Sequence, residues 1–222
     1  MALTKDALTL LAPYLRKAKV LCFGYPDMLV TPEEASEIIG ARVRKLSPFG
    51  SNHKREAPMA DTQEVFDAVG ASVFCVDLLP TRMVEQVVDL NYPQQFDKFN
   101  VVIDAGTIEH CANIGQALMT AASAVASEGV VYHSPPLNMP NHGFYAVSPT
   151  LLADFYLQNG WEIKFLRGFS ASQPYYMFTT PHYDRFKAQD NSALHFLARR
   201  TKDAPEELKW PTQHKYLPKE NV

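Results

Sequence analysis

Residues 99–136 read FNVVIDAGTIEHCANIGQALMTAASAVASEGVVYHSPP. An apolar run, Phe99-Asn100-Val101-Val102-Ile103, breaks at Asp104-Ala105-Gly106. Ile114, Leu118, Ala121 and Val125 then fall at helical spacing, which gives an alanine-rich helix one apolar face. Gly129 precedes a second run, Val130-Val131-Tyr132, which stops at His133-Ser134-Pro135-Pro136. Strand, helix and strand in this order predict two parallel strands joined by a right-handed crossover.

The same alternation extends in both directions. Val20-Leu21-Cys22-Phe23 ends at Gly24-Tyr25-Pro26-Asp27, and Ala71 to Val76 ends at Asp77. A weaker run, Met83 to Val88, is followed by Asp89-Leu90-Asn91, and later runs cover Trp161 to Leu166 and Ala193 to Ala198. Near-continuous apolar runs suit strands buried on both faces. Thr31-Pro32-Glu33-Glu34 and Asp61-Thr62-Gln63-Glu64 carry N-cap signals, with Gly40 and Gly70 as stops. Ser148-Pro149 opens another helix, which Gly160 ends. The expectation is a parallel, three-layer α/β sheet.

The chain has 222 residues, of which 46% are hydrophobic and 20% charged, so it has the apolar area that a disordered chain lacks. Its net charge of −3 disfavours a general nucleic-acid binder. No apolar run is long enough to span a membrane, and residues 1–19 read as an amphipathic helix rather than a signal peptide. Cys22, Cys75 and Cys111 are far apart and odd in number, which fits buried thiols in a reducing, cytoplasmic setting. Residues 41–60 hold Arg42, Arg44, Lys45, Lys54 and Arg55 against Glu56 alone, and form an insertion: either a solvated loop or an anion-binding flap. Residues 1–202 are expected to form one domain, and 203–222 a C-terminal tail or surface arm.

In open α/β sheets, ligands sit outside the carboxyl ends of the strands. Here three successive strand ends carry Asp77, Asp89 and Asp104. A carboxylate after the second strand can accept both hydrogens of a ribose diol. Backbone groups after the third can read an adenine edge, and the small Ala105-Gly106 turn lets a ligand approach the chain.

With these residues in place, the sequence resembles the class I S-adenosylmethionine-dependent methyltransferases over roughly residues 18–200. The resemblance rests on Ile103-Asp104-Ala105-Gly106, then Ile108-Glu109-His110, then Gly129-Val130-Val131. Residues 141–163, NHGFYAVSPTLLADFYLQNGWEI, resemble a bacterial subgroup associated with surface-polysaccharide biosynthesis. The resemblance implies a Rossmann-like sheet, mostly parallel with an antiparallel last strand, and S-adenosylmethionine as cofactor. It implies a cofactor site of Gly24, Tyr25, Asp77, Leu78, Asp89, Leu90, Asp104, Ala105, Gly106 and Glu109. One departure stands out. The family's glycine-rich loop is here Phe23-Gly24-Tyr25-Pro26-Asp27, with one glycine, and Pro26 has no amide to donate. A tyrosine face at Tyr25 would attract a sulfonium cation by about 0.5–2 kcal/mol.

Methyl transfer to a hydroxyl benefits from a base, and histidine is the usual choice. His142, with Gly143, Phe144 and Tyr145, lies in a loop expected to overhang the strand ends. His142 is therefore the candidate base or acceptor ligand, Tyr145 its support, and His133 a further rim residue. His110 reads as ordering its turn. Phe155-Tyr156 and Tyr175-Tyr176-Met177-Phe178 are core or acceptor-pocket aromatics. No HExxH-type spacing exists, so no metal is expected. The expected function is methylation of a small-molecule or carbohydrate hydroxyl. The alternative is an inactive methyltransferase-like fold acting as a binding or structural protein, with a homo-oligomer or partner complex. A nucleotide-binding oxidoreductase is disfavoured, because no GxGxxG follows the first strand.

Overall fold

A computed structural model describes residues 1–49, 58–170, 173–177 and 184–218. Lys54, Arg55, Glu56, Phe178 and His182 lie outside the described residues, as do the side chains of Tyr175, Tyr176 and Met177.

The chain is mixed α/β, with five helices and a nine-stranded, mostly parallel sheet among the described residues. The helices are α1 (Lys5–Leu15), α2 (Pro32–Ile39), α3 (Thr62–Ala68), α4 (Ile114–Ala124) and α5 (Pro149–Gln158). The strands are β1 (Ala2–Thr4), β2 (Lys19–Phe23), β3 (Asp27–Leu29), β4 (Ser72–Asp77), β5 (Gln86–Val87), β6 (Phe99–Asp104), β7 (Val125–His133), β8 (Pro136–Asn138), β9 (Trp161–Ser170), β10 (Gln173–Met177) and β11 (Ser192–Arg200). The main sheet runs β10-β9-β11-β7-β6-β2-β4-β5, with β8 also paired to β11. From β7 to β5 every pairing is parallel, whereas β11 is antiparallel to both β7 and β9.

Successive residues of β2 feed two separate hydrophobic clusters. Val20 and Cys22 join Leu8 and Leu11 of α1, Ala35 of α2 and Phe66 of α3. Leu21 and Phe23 join Leu118 and Ala121 of α4 and Phe155 and Tyr156 of α5. This is the period-2 alternation of a strand covered on both faces. The helix signals act as read. Thr31 and Glu34 form a reciprocal capping box, Asp61 accepts from the Glu64 amide, and Ser148 from the Thr150 amide.

Several elements differ from the sequence expectation. The third strand shrinks from Met83–Val88 to Gln86–Val87. Its first half is wound into a turn, with Met83 at φ 61° and the Glu85 carboxylate accepting from Thr81, Arg82 and Val84. The helix read through Val125 spans Ile114–Ala124, capped by Asn113, so Val125 belongs to the next strand, and Ile108–His110 form a short 3-10 turn. β7 starts five residues before Val130, at Val125, and Gly129 is required there because a Cβ would stand 2.8 Å from the Asn100 carbonyl. The short strands β1 and β3 pair in parallel outside the main sheet; three residues are too few for alternation to show. The described part of the insertion is tied down: the Arg44 and Lys45 amides donate to Glu64 at 2.7 and 2.5 Å. The C-terminal arm lies along α5, where Asn159 and Gln158 pair with the Lys209 and Thr212 backbones. All three cysteines are free and buried, and no helix is long and apolar enough to cross a membrane among the described residues.

Candidate functional site

After β5 the chain crosses over β2 to β6, so the sheet has a topological switch point between β2 and β6. Ligands of open α/β sheets bind in the crevice beyond such a point. A cavity of about 360 Å³ opens there, in the usual size range of small-molecule sites. Asp77, from the tip of β4, and Asp89-Leu90, after β5, line one side. Gly106, Thr107 and His110, after β6, line the other. Leu78 joins the wall with most of its surface exposed. The sequence-expected Asp77, Leu78, Asp89, Leu90 and Gly106 therefore share one hollow.

Two glycines shape this end of the sheet, Gly106 in the cavity wall and Gly24 beneath Met1, which covers it. Gly24 has φ +76°, and an added Cβ would lie 3.1 Å from Asp77 Oδ2. At Gly106, with φ +96°, a Cβ would lie 3.1 Å from Glu109 Oε1. Both sites need the left-handed backbone and the missing side chain. Asp89 is partly engaged, its Oδ1 accepting from the Asn91 amide and side chain at 2.9 and 2.8 Å.

Other expected site residues lie elsewhere. Tyr25 is buried in the core and packs edge-on against Phe49 at 5.6 Å, so its ring is not in the cavity wall. Asp104 is wholly buried beneath the site: Oδ1 accepts from the Thr107 amide at 2.8 Å, and Oδ2 faces His133 Nδ1 at 2.7 Å. Ala105 is buried in the core. His133, expected at the rim, is fully buried between Asp104 and the Tyr156 hydroxyl, which lies 2.6 Å from Nε2. Its strand carries it inward because β7 pairs in parallel with β6, with His133 opposite Asp104. Tyr145 donates to the Ala112 carbonyl at 2.7 Å and so anchors the 138–145 loop.

No family model matches the chain, and no curated protein matches it in sequence.

At the β6 side of the cavity, Glu109, His110 and His142 come together. His142 Nε2 lies 3.6 Å and His110 Nε2 3.9 Å from Glu109 Oε1, and the two imidazoles tilt against each other at 5.3 Å. Both histidines are half exposed, whereas Glu109 is wholly buried. Neither Glu109 oxygen has a hydrogen bond among the described residues. Burial, then the charge of Asp104, pushes the Glu109 carboxyl up to about 8. Burial, then His142, pushes His110 down. The loop is pressed onto Glu109 by a bond from the Phe144 amide to the Glu109 carbonyl at 2.9 Å.

Sequence reading missed two lining residues that matter. Thr107 donates to the Phe23 carbonyl at 2.7 Å, which ties the turn after β6 to the tip of β2; its spacing from Asp104 was the available signal. Met1 lies over Gly24, where a Cβ would overlap its Cε, and its sulfur lies against the Thr107 hydroxyl. No pattern in the sequence places Met1 there.

Proposed function

We propose that this protein transfers a methyl group from S-adenosylmethionine to the hydroxyl of a small molecule or carbohydrate. The observation that carries the reading is the meeting of Asp77 and Asp89, from neighbouring strand tips, in one cavity with Gly106 at the switch point. A Rossmann-like, three-layer fold is supported by the two clusters on alternate strand residues. It is also supported by the order β5-β4-β2-β6-β7, which is third, second, first, fourth, fifth among the parallel strands. Three buried, unpaired thiols favour a cytoplasmic location.

Asp77 would accept from the ribose diol, and Leu90 would pack on the adenine. Gly24 and Gly106 would let the remainder lie against the backbone, once Met1 turns aside. S-adenosylmethionine, when bound, supplies an electrophilic methyl group. An acceptor oxygen held in line with that carbon would displace the sulfur, which would leave with the bonding electron pair. The hydroxyl proton would pass to His142, whose half-exposed imidazole lies against His110 of the cavity wall. The chain otherwise aligns the reactants and excludes water.

The test is calorimetry of the full chain with S-adenosylhomocysteine. Saturable binding is expected, weakened at least tenfold in Asp77→Ala, since a hydrogen bond to a charged group is worth about 1.5–3 kcal/mol. No heat with folded protein would overturn the reading. It would favour the second one, a binding protein on the same fold, for which Met1 over Gly24 and the missing Pro26 amide speak.

A further inference from the structure

We propose that Glu109, His110 and His142 form a binding site for a divalent transition-metal ion of the zinc class, open toward the cavity. Each residue offers one ligand atom, and all three atoms lie within 4.8 Å of one another. One carboxylate and two imidazoles are a donor set suited to zinc, cobalt or manganese.

The spacing is that of a site slightly open. Ligands about 2.0–2.1 Å from a tetrahedral ion stand about 3.3 Å apart. The two distances to Glu109 Oε1, 3.6 and 3.9 Å, are a little longer than this and too long for hydrogen bonds. Both histidines are half exposed, so their rings have room to close on an ion.

Glu109 supplies the independent reason to expect a cation. Its side chain is wholly buried, and neither oxygen has a hydrogen bond among the described residues. A buried carboxylate with no donor is costly, and such groups take a proton, a counter-charge or a metal. Among the described residues only the two imidazoles face Oε1 at ion-pair distance, and the Met1 ammonium acts on the carboxylate from beyond that range. The chain also keeps the space clear. Gly106 lacks the Cβ that would stand 3.1 Å from Oε1, and Gly143 lacks one that would stand 2.8 Å from the Glu109 carbonyl. These two glycines leave room beside the carboxylate on the side of the cavity wall and let the His142 loop approach Glu109 from the other.

Three protein ligands leave at least one position for an exogenous oxygen, the pattern of reactive rather than structural zinc sites. His110 lines the cavity, so that position faces the bound molecule. A hydroxyl coordinated there is acidified, and the ion would then replace His142 as the agent that draws off its proton. This last step rests on the methyl-transfer reading, whereas ion binding does not.

The test uses untagged full-length protein freed of metal by chelation. Zn²⁺ is titrated by calorimetry, and Co²⁺ by visible absorption. One ion per chain is expected, with a Co²⁺ ligand-field spectrum that Zn²⁺ abolishes. Glu109→Gln and His142→Ala should each weaken Zn²⁺ by more than about 100-fold, because loss of even an outer-shell partner costs 10–100-fold. His142 is on the surface, so His142→Ala keeps the test valid if the Glu109 variant fails to fold. Asp77→Ala should lose S-adenosylhomocysteine and keep the ion, and His142→Ala the reverse. The inference is overturned if no stoichiometric ion binds, or if both ligand variants bind it as the unaltered chain does.

Discussion

His133 Nδ1 lies 2.7 Å from Asp104 Oδ2, both side chains are wholly buried, and the two residues stand opposite each other on the parallel strands β6 and β7. The pair rivets the strand tips beneath the cavity. Asp104 also holds the Thr107 and Ile108 amides through Oδ1, so it shapes the turn that carries Gly106. Asp104→Ala should cost about 3–5 kcal/mol, because it removes the hydrogen-bond partner of His133 Nδ1 and the acceptor of two turn amides, and each buried group left unpaired costs about 1–3 kcal/mol. Tyr156→Phe, which leaves His133 Nε2 without its partner, should cost about 1–3 kcal/mol. Urea unfolding of both variants checks this. Equal losses, or none in Asp104→Ala, would remove the rivet.

That pair also shows what the sequence could and could not convey. Apolar runs marked β2, β6 and β11, which are buried almost throughout and so have few polar positions to confuse the pattern, and also the half-buried β4 and β9. Strand-end carboxylates marked Asp77 and Asp89 as cavity residues for the same topological reason. Asp104 and His133 carry the same local signature, yet they face each other. Only the β6–β7 register decides this, and register is a long-range property. The Glu109, His110 and His142 group was invisible for a related cause. Its members are 33 residues apart at the widest, and a loop closes the gap.

Met1 predicts self-occlusion of the cavity. Its side chain rests over Gly24, against Thr107. A ligand lying on Gly24 must displace it and forfeit its burial, about 1–2 kcal/mol for a partly buried methionine. A chain beginning at Ala2 should therefore bind S-adenosylhomocysteine about five- to thirtyfold more tightly. Calorimetry on the two forms decides it; equal affinities would mean that the ligand does not use Gly24.

His195 predicts a stability loss in acid. It is buried, lies 2.5 Å from the Tyr132 hydroxyl through Nδ1, and stacks on Phe169 at 4.0 Å. Burial lowers it to about 4 from 6.5. The unfolded chain binds the extra proton first, so stability falls as pH drops from 6.5 to 4. The loss is on the order of 3 kcal/mol. Glu109, raised to about 8, tilts the curve the other way at higher pH: the folded chain holds its proton longer, so stability falls as pH rises from 4.5 to 8. The readout is therefore the difference between the unaltered chain and His195→Phe across pH 4–6.5. The variant should lose the acid slope at a constant cost for the hydrogen bond that the Tyr132 hydroxyl no longer makes with His195. Parallel curves would refute the assignment.

Gly143→Ala separates the triad from the cavity. An added Cβ would stand 2.8 Å from the Glu109 carbonyl and 3.0 Å from Glu109 Cγ, closer than atoms tolerate. The loop must retreat, stretching the bond from the Phe144 amide to Glu109 and carrying His142 away. Overpacking of this kind costs about 1–3 kcal/mol. Gly143 does not line the cavity, so S-adenosylhomocysteine affinity should stay within about twofold, while methyl transfer and Zn²⁺ binding fall by more than about tenfold, since a displacement near 1 Å can cost far more. Thermal melting, calorimetry with each ligand, and turnover on a hydroxyl acceptor give the three readings. If Zn²⁺ binding and turnover survive unchanged while the melting point drops, His142 acts with neither ion nor acceptor, and its approach to Glu109 is only a way of packing the loop.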